Sequence, residues 1–311
     1  MATPSKVTTS NSVDISRLNH GNWNSHGKFY VSPVHDTYPF ISTSNEGSMV
    51  GKSILITGAS RGIGLATAIH LAKAGCSMIA LAGRSSLAEA ESAVKKAAAE
   101  AKTSPTILVL NLDVTSISSV QAAAEEINRA FKGRLDVLIN NAGYLSEFQD
   151  IADSDPIEYW KTWNTNVNGT YLCTRYFLPM LLDSELKTII NITSAGSQVI
   201  FPGASSYQTT KFAICRFTEF LDAEYAKRGL ITYALHPGGV KTDLALSMPQ
   251  WMYGNLIDPP ELPADTIVWL CKERRGWLSG RFVCANWNME ELEGRKDEIV
   301  KSDLLKFRMA Y

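Results

Sequence analysis

Tyr207 and Lys211 stand four residues apart in the stretch Ser-Ser-Tyr-Gln-Thr-Thr-Lys-Phe-Ala, residues 205–213. On a helix that spacing puts both side chains on one face. A free phenol titrates near pH ~10 and does little proton chemistry at neutrality. A cation held beside it favours the phenolate and lowers that value, which makes a tyrosine usable as an acid or base. The same spacing also describes an ordinary exposed helical pair, so the choice rests on what else the chain brings to the site.

A second group of residues could hold a phosphate. Gly58, Gly62 and Gly64 lie in Thr-Gly-Ala-Ser-Arg-Gly-Ile-Gly, residues 57–64, between a β-branched run and an alanine-rich one. Their G-x-x-x-G-x-G spacing is one residue longer in its first gap than the G-x-G-x-x-G dinucleotide fingerprint. The physics is shared: glycine allows a tight turn and lets backbone N–H groups approach a pyrophosphate at a helix N-terminus. Such turns also occur for steric reasons alone. An NAD-binding domain would place Asp or Glu about 20 residues further on, for the ribose 2′-hydroxyl. This chain instead has Gly83-Arg84-Ser-Ser, and Arg61 lies inside the glycine loop. Two guanidiniums in place of a carboxylate suit a 2′-phosphate and point to NADP(H), although either could be a solvated surface cation. Asp113 reads as an acceptor for the adenine amino group or as a turn residue in Asp-Val-Thr-Ser.

The elements that must carry these residues follow from the pattern of apolar runs. Residues 53–58, 76–83, 106–113, 135–143, 188–194 and 230–238 are short, apolar and β-branched, each ending in small or polar residues. Buried parallel strands read this way. Stretches of helical period lie between them, so strand and helix alternate and predict a doubly wound parallel sheet with helices on both faces. A seventh strand is expected at 281–285. No linker divides residues 51–311, which read as one catalytic domain. Residues 1–50 read as an irregular extension, and Trp23, Phe29, Tyr30, Tyr38 and Phe40 give it reason to lie against the body or a partner subunit.

Composition excludes several classes. The chain has 311 residues, 45% hydrophobic and 20% charged, with a formal net charge of -1. That balance gives no bulk electrostatic reason to bind nucleic acid or an acidic membrane. Five scattered cysteines, an odd number without a C-x-x-C, read as reduced thiols rather than a disulfide framework or a zinc site, and no metal is expected. The first residues lack the apolar core of a secretory signal, and no apolar run reaches 18 residues. A cytoplasmic protein is expected, and the Asn168 and Asn191 sequons then have no meaning.

Taken together, the motifs resemble the short-chain dehydrogenases/reductases of standard length. They run in order from Thr57–Gly64 through Asp113-Val114, Asn140-Asn-Ala-Gly143, Asn166-Val-Asn-Gly169, Ser194, and Tyr207 with Lys211, to Pro237-Gly-Gly-Val-Lys-Thr242. The resemblance implies a Rossmann fold and a catalytic set of Asn166, Ser194, Tyr207 and Lys211. Tyr207 would protonate the substrate oxygen in reduction or act as base in oxidation, and Lys211 would hold the nicotinamide ribose and lower the tyrosine pKa. Ser194 would bond the carbonyl oxygen as charge develops. Asn166 would support a water-linked proton path or mend a helix irregularity. Cofactor contacts are implied at Gly58, Ser60, Arg61, Gly62, Ile63, Gly64, Arg84, Asp113 and Val114. More are implied at Asn140, Ala142, Gly143, Tyr207, Lys211, Pro237, Gly238, Val240 and Thr242, with Arg175 as a basic residue near the site. Thr193 stands where the family commonly has a second serine, and either hydroxyl can serve there.

The resemblance also places a mobile lid at about 244–263, where Met248, Trp251, Met252 and Tyr253 would suit a bulky apolar or aromatic substrate or pack against the body. The tail at about 286–311 and the extension look like fungal secondary-metabolite reductases. The implied activity is NADP(H)-dependent interconversion of a ketone and a secondary alcohol. A net epimerisation, dehydration or enone reduction would use the same residues, and a non-catalytic NADP(H) sensor is a further alternative. A homo-oligomer is implied as well.

Overall fold

Strands buried on both faces need covering helices on both sides, and the chain supplies them in alternation. The computed structural model describes residues 31–43 and 48–309; Trp23, Phe29 and Tyr30 lie outside the described residues. The strands are β1 (Ser53–Thr57), β2 (Met78–Gly83), β3 (Thr106–Asn111), β4 (Val137–Asn140), β5 (Thr188–Ile192), β6 (Ile231–His236) and β7 (Arg281–Cys284). They form one sheet in the order β3-β2-β1-β4-β5-β6-β7, parallel throughout. The expected seventh strand is present. Strand order reverses between β1 and β4, which opens a crevice at the carboxyl ends of those strands.

The helices are α1 (Gly62–Lys73), α2 (Ala88–Glu100), α3 (Ile117–Ala130), α4 (Pro156–Trp163), α5 (Gly169–Leu182), α6 (Ser205–Tyr225), α7 (Glu261–Lys272), α8 (Met289–Gly294) and α9 (Lys296–Lys301). Period-two alternation along β1 divides the core. Ile54 and Ile56 pack with Leu71 of α1, Val94 of α2 and Val268 of α7. Leu55 faces the other way, with Val120 and Ile127 of α3 and Phe177 of α5. Local signals set the helix starts. Ser116 caps α3 by accepting from Ser119 N at 3.3 Å, and Asp155 caps α4 by accepting from Ile157 N at 2.7 Å, just ahead of Pro156. Between α4 and α5 the run passes through a π-helical turn at Asn164–Asn168.

Residues 31–42 lie against the body of the chain. Pro33 bridges Trp287 in antiparallel sense, Val34 N donates to Asn286 O at 2.8 Å, and Asn288 N donates to Ser32 O at 3.0 Å. Thr37 donates to Asp265 of α7, whose other oxygen lies 2.6 Å from His70 Nδ1 of α1. All five cysteines are unbridged and buried. Among the described residues no helix is long and apolar enough to cross a membrane.

Candidate active site

The glycine loop is shaped by its contact with the end of β4. Gly58 has φ +65° and Gly62 φ +57°, in the left-handed region that favours glycine. A Cβ on Gly64 would fall 2.4 Å from Gly58 O and 2.6 Å from Asn141 Nδ2. Asn141 is what closes the loop: its Nδ2 donates to Thr57 O at 2.9 Å and to Gly58 O at 3.1 Å. Thr57 Oγ1 in turn accepts from the N–H groups of Asn141 and Ala142, each at 3.0 Å. Arg61 enters α1 with no side-chain cap, and the first turn of that helix carries no acid. Its N-terminal N–H groups are therefore left for an anion. This cradle fits the pyrophosphate of a nicotinamide dinucleotide.

The loop opens onto a cleft of about 1320 Å³, larger than the ~300–1,000 Å³ that serves one small ligand. Gly58, Ser60, Arg61, Gly62 and Ile63 line it from the loop, and Arg84 from the end of β2. Val114, Ala142 and Gly143 form part of its wall, and Pro237, Gly238, Val240 and Thr242 enter after β6. Arg84 is exposed and, among the described residues, has no ion-pair partner. Arg61 is paired with Asp243 at 3.0 Å.

Ser194, Tyr207 and Lys211 meet in the same cleft. Ser194 follows β5 and caps a short 3-10 turn, its Oγ accepting from Gly196 N at 3.0 Å. Its hydroxyl also hydrogen-bonds the Tyr207 phenol and pulls that pKa down. Lys211 lies one turn along α6, its Nζ donating to Ile192 O at 2.9 Å and standing 5.5 Å from the Tyr207 ring centre. Thr193 anchors this turn of α6 by donating to Lys211 O at 2.9 Å. The electrostatics differ from the sequence expectation. Burial pushes the Tyr207 phenol up to about 12, against the Ser194 hydrogen bond, and Lys211 is not among the causes. Burial pulls the Lys211 ammonium down to about 8. Desolvation thus outweighs the cation, and the phenol holds its proton at neutral pH.

Other expected residues lie elsewhere. Gly64 sits behind the loop, against Asn141. Asn140, expected at the cofactor, is buried and points into the sheet, where its Nδ2 donates to Asn191 Oδ1 at 2.8 Å and Thr174 Oγ1 at 3.2 Å. Asp113 accepts from Thr115 N at 2.9 Å and Thr115 Oγ1 at 2.7 Å, closing its own turn. Arg175 is exposed on α5, its guanidinium 5.8 Å from the Tyr176 ring; a helical step of one or two residues is enough to take it off the site. None of Asn140, Asp113 and Arg175 lines the cleft.

Asn166 also stands behind the wall, in the π-helical turn. Its Oδ1 accepts from Tyr144 N at 2.8 Å, and its Nδ2 donates to Tyr144 O at 2.9 Å and to Thr210 Oγ1 at 3.0 Å. The side chain ties the irregular turn to α6 and to the cleft-lining Tyr144. Its main-chain carbonyl accepts from Thr170 Oγ1 at 2.7 Å.

The substrate side is built from loops. Met248 and Met252, in the segment expected to form a lid, line the cleft together with Phe148, Val199 and Phe201. Trp251 is exposed and meets Phe201 edge-on at 6.0 Å, while the Tyr253 hydroxyl donates back to Leu246 O at 2.6 Å. Three residues that matter to this geometry went unread in the sequence. Asn141 is the second residue of Asn-Asn-Ala-Gly and has nothing in the sequence to set it apart from Asn140. Asp258, just ahead of α7, and His35 carry no local pattern at all.

The short chain dehydrogenase family model matches residues 52–252. The short chain dehydrogenase mpl6 of Monascus purpureus is 47% identical over 285 residues, covering 91% of this chain and 97% of the relative. A 3-ketoacyl-(acyl-carrier-protein) reductase from Brucella melitensis, solved with NADH, superposes with a TM-score of 0.66 at 26% identity, over 75% of this chain and 96% of that one. An NADPH-bound carbonyl reductase from chicken fatty liver does so with a TM-score of 0.63 at 26% identity, over 76% and 97%. The family model covers more than half of the chain and the Monascus relative nearly all of it, and the chain belongs to the short chain dehydrogenase family.

Proposed function

We propose that the protein is an NADP(H)-dependent reductase that interconverts a ketone and a secondary alcohol on a bulky, apolar secondary-metabolite substrate. The observation that carries this reading is the meeting of Ser194, Tyr207 and Lys211 in the cleft onto which the glycine cradle opens. A bound dinucleotide supplies the hydride. The chain's own residues handle the proton and the charge. Tyr207 donates its phenolic proton to the carbonyl oxygen as that oxygen becomes an alkoxide. Ser194 donates a hydrogen bond to the same oxygen, which stabilises the charge while it develops. Lys211, held by Ile192 O, places a cation beside the phenol and would hold the ribose hydroxyls of a bound dinucleotide. As the cleft fills, the ammonium stabilises the phenolate left behind.

NADP(H) over NAD(H) is supported by Arg84, an exposed guanidinium at the end of β2 where no carboxylate stands. Arg61 contributes only by leaving Asp243, so Arg84 carries the preference. Substrate size is supported by the apolar wall of Phe148, Phe201, Met248 and Met252. Exposed Tyr171 on α5 and exposed Phe212 and Phe220 on α6 support a homo-oligomer.

The test is to titrate the purified protein with NADPH and NADH and then assay oxidation against bulky ketones. Ketone-dependent NADPH oxidation, with an Arg84→Ala variant that loses about ten-fold in NADPH affinity and little for NADH, is the expected result. Tight NADPH binding with no consumption on any ketone would overturn the redox reading, and equal losses for both dinucleotides would remove Arg84 from the 2′-phosphate site.

A further inference from the structure

Val31, Pro33 and His35 line the same cleft as Tyr207, so the N-terminal segment is part of the site's architecture. His35 Nδ1 lies 2.7 Å from Asp258 Oδ1, and a carboxylate partner keeps the proton on that nitrogen. The Asp258 side chain is only 3% exposed. Its other oxygen accepts from Gly239 N at 2.5 Å and from Asn286 Nδ2 at 2.9 Å. One carboxylate therefore joins the N-terminal segment, the loop leaving β7, and the loop leaving β6.

The loop after β6 depends on this carboxylate in several ways. Gly238 has φ +89°, and a Cβ there would fall 2.7 Å from Asp258 Oδ2. Gly239 O accepts from Asp258 N at 3.0 Å, and Val240 pairs with Asp258 as a parallel bridge. A buried carboxylate that loses a donor is left poorly satisfied and relaxes toward water or other donors. Gly239 hangs on the same group, so its backbone follows.

We infer that His35 is a positioning residue: through Asp258 it fixes the backbone of Pro237–Thr242 and thereby sets the affinity of the cleft for nicotinamide dinucleotide. The inference rests on the reading of that loop as a dinucleotide contact. Residues 31–42 then act at a distance along the chain that no local motif spans.

The experiment measures NADPH and NADH dissociation constants by protein fluorescence, alongside thermal midpoints, for wild type, His35→Ala, His35→Asn and Thr37→Val. Thr37 ties the same segment to Asp265, outside the cleft. His35→Ala should weaken both dinucleotides about ten-fold, the scale of a hydrogen bond to a charged group. His35→Asn, whose amide can donate to the same oxygen, should restore affinity to within about three-fold. Thr37→Val should lower the midpoint and leave both constants within about two-fold, since it breaks a bond remote from the loop. Wild-type affinity in His35→Ala, or a loss in Thr37→Val as large as in His35→Ala, would overturn the inference. A wild type that binds neither dinucleotide would overturn the reading of the loop itself.

Discussion

The two ends of the cleft are made of different material. At the glycine loop the surface is backbone, cinched by Asn141 and Thr57, with little room for a side chain to be added. On the substrate side the surface is side chain, carried by 3-10 turns at Ala245–Ser247 and Gln250–Asn255 and by Phe148 and Phe201. A phosphate is the same in every dinucleotide, so a rigid backbone cradle serves all members of a family. A substrate differs from one enzyme to the next, and loops change side chains without disturbing the sheet. Between the two stand Ser194, Tyr207 and Lys211, on a strand end and a long helix, where orientation must be fixed for both.

The comparison is most sharply tested at its centre. Tyr207→Phe should lower turnover by about 10³-fold, within the range for loss of a general acid, and leave dinucleotide affinity within about two-fold. Substantial residual turnover would transfer the proton to another group. Next comes the cradle. Gly64→Ala forces a methyl against Gly58 O and Asn141, and the ~1–3 kcal/mol typical of overpacking should appear as a lower thermal midpoint and a dinucleotide affinity reduced by about ten-fold or more. Unchanged binding would show that the loop adapts and that its rigidity is not what matters.

Lys211 gives a smaller effect with a defined sign. Its ammonium titrates at about 8 in the folded chain, against 10.5 for a free lysine. Between those values the unfolded chain holds the extra proton, so stability rises with pH; below about 8 both states are protonated and the unfavourable burial is fully present. Urea unfolding from pH 7 to 9.5 should show wild type gaining on the order of 2 kcal/mol relative to Lys211→Met. The Tyr207 window opens above pH 10 and runs the other way, since its phenol is pushed up to about 12. Parallel pH responses in the two proteins would mean that the amine is not desolvated. Smallest of all, Met252→Ala should change KM for a bulky ketone by about three-fold, with turnover and dinucleotide affinity nearly constant, because one side of a thioether side chain contributes a fraction of its burial energy. A change in dinucleotide affinity instead would join the turn at Gln250–Asn255 to the backbone end of the cleft.

How much was legible in the sequence follows the same division. Backbone geometry demands particular residues at particular gaps, so Gly58, Gly62 and Gly64 announce their turn, and helical spacing announces Tyr207 and Lys211. Asn140 and Asn141 show where legibility fails: two identical neighbours at a strand end take different directions, and only the register with Asn191 tells which enters the sheet. Arg175 shows a related limit, since an arginine on a helix names a position but not a face. The raised Tyr207 pKa is not legible in the sequence, which shows the neighbouring cation and hides the burial. His35 and Asp258 lie 223 residues apart, and topology alone brings them together.

The five cysteines described with the fold have a practical consequence. Cys76, Cys173 and Cys284 are pushed up to about 12, Cys215 to about 11, and Cys271 higher still, all by burial. A thiolate is the reactive form, so an alkylating reagent meets almost none of it while the chain is folded. Labelling must wait for an opening event. Cys76 stands just after α1, Cys173 on α5, Cys215 on α6, Cys271 on α7 and Cys284 at the end of β7, so the rate at each site clocks the opening of a different part of the molecule, with no probe added to the chain.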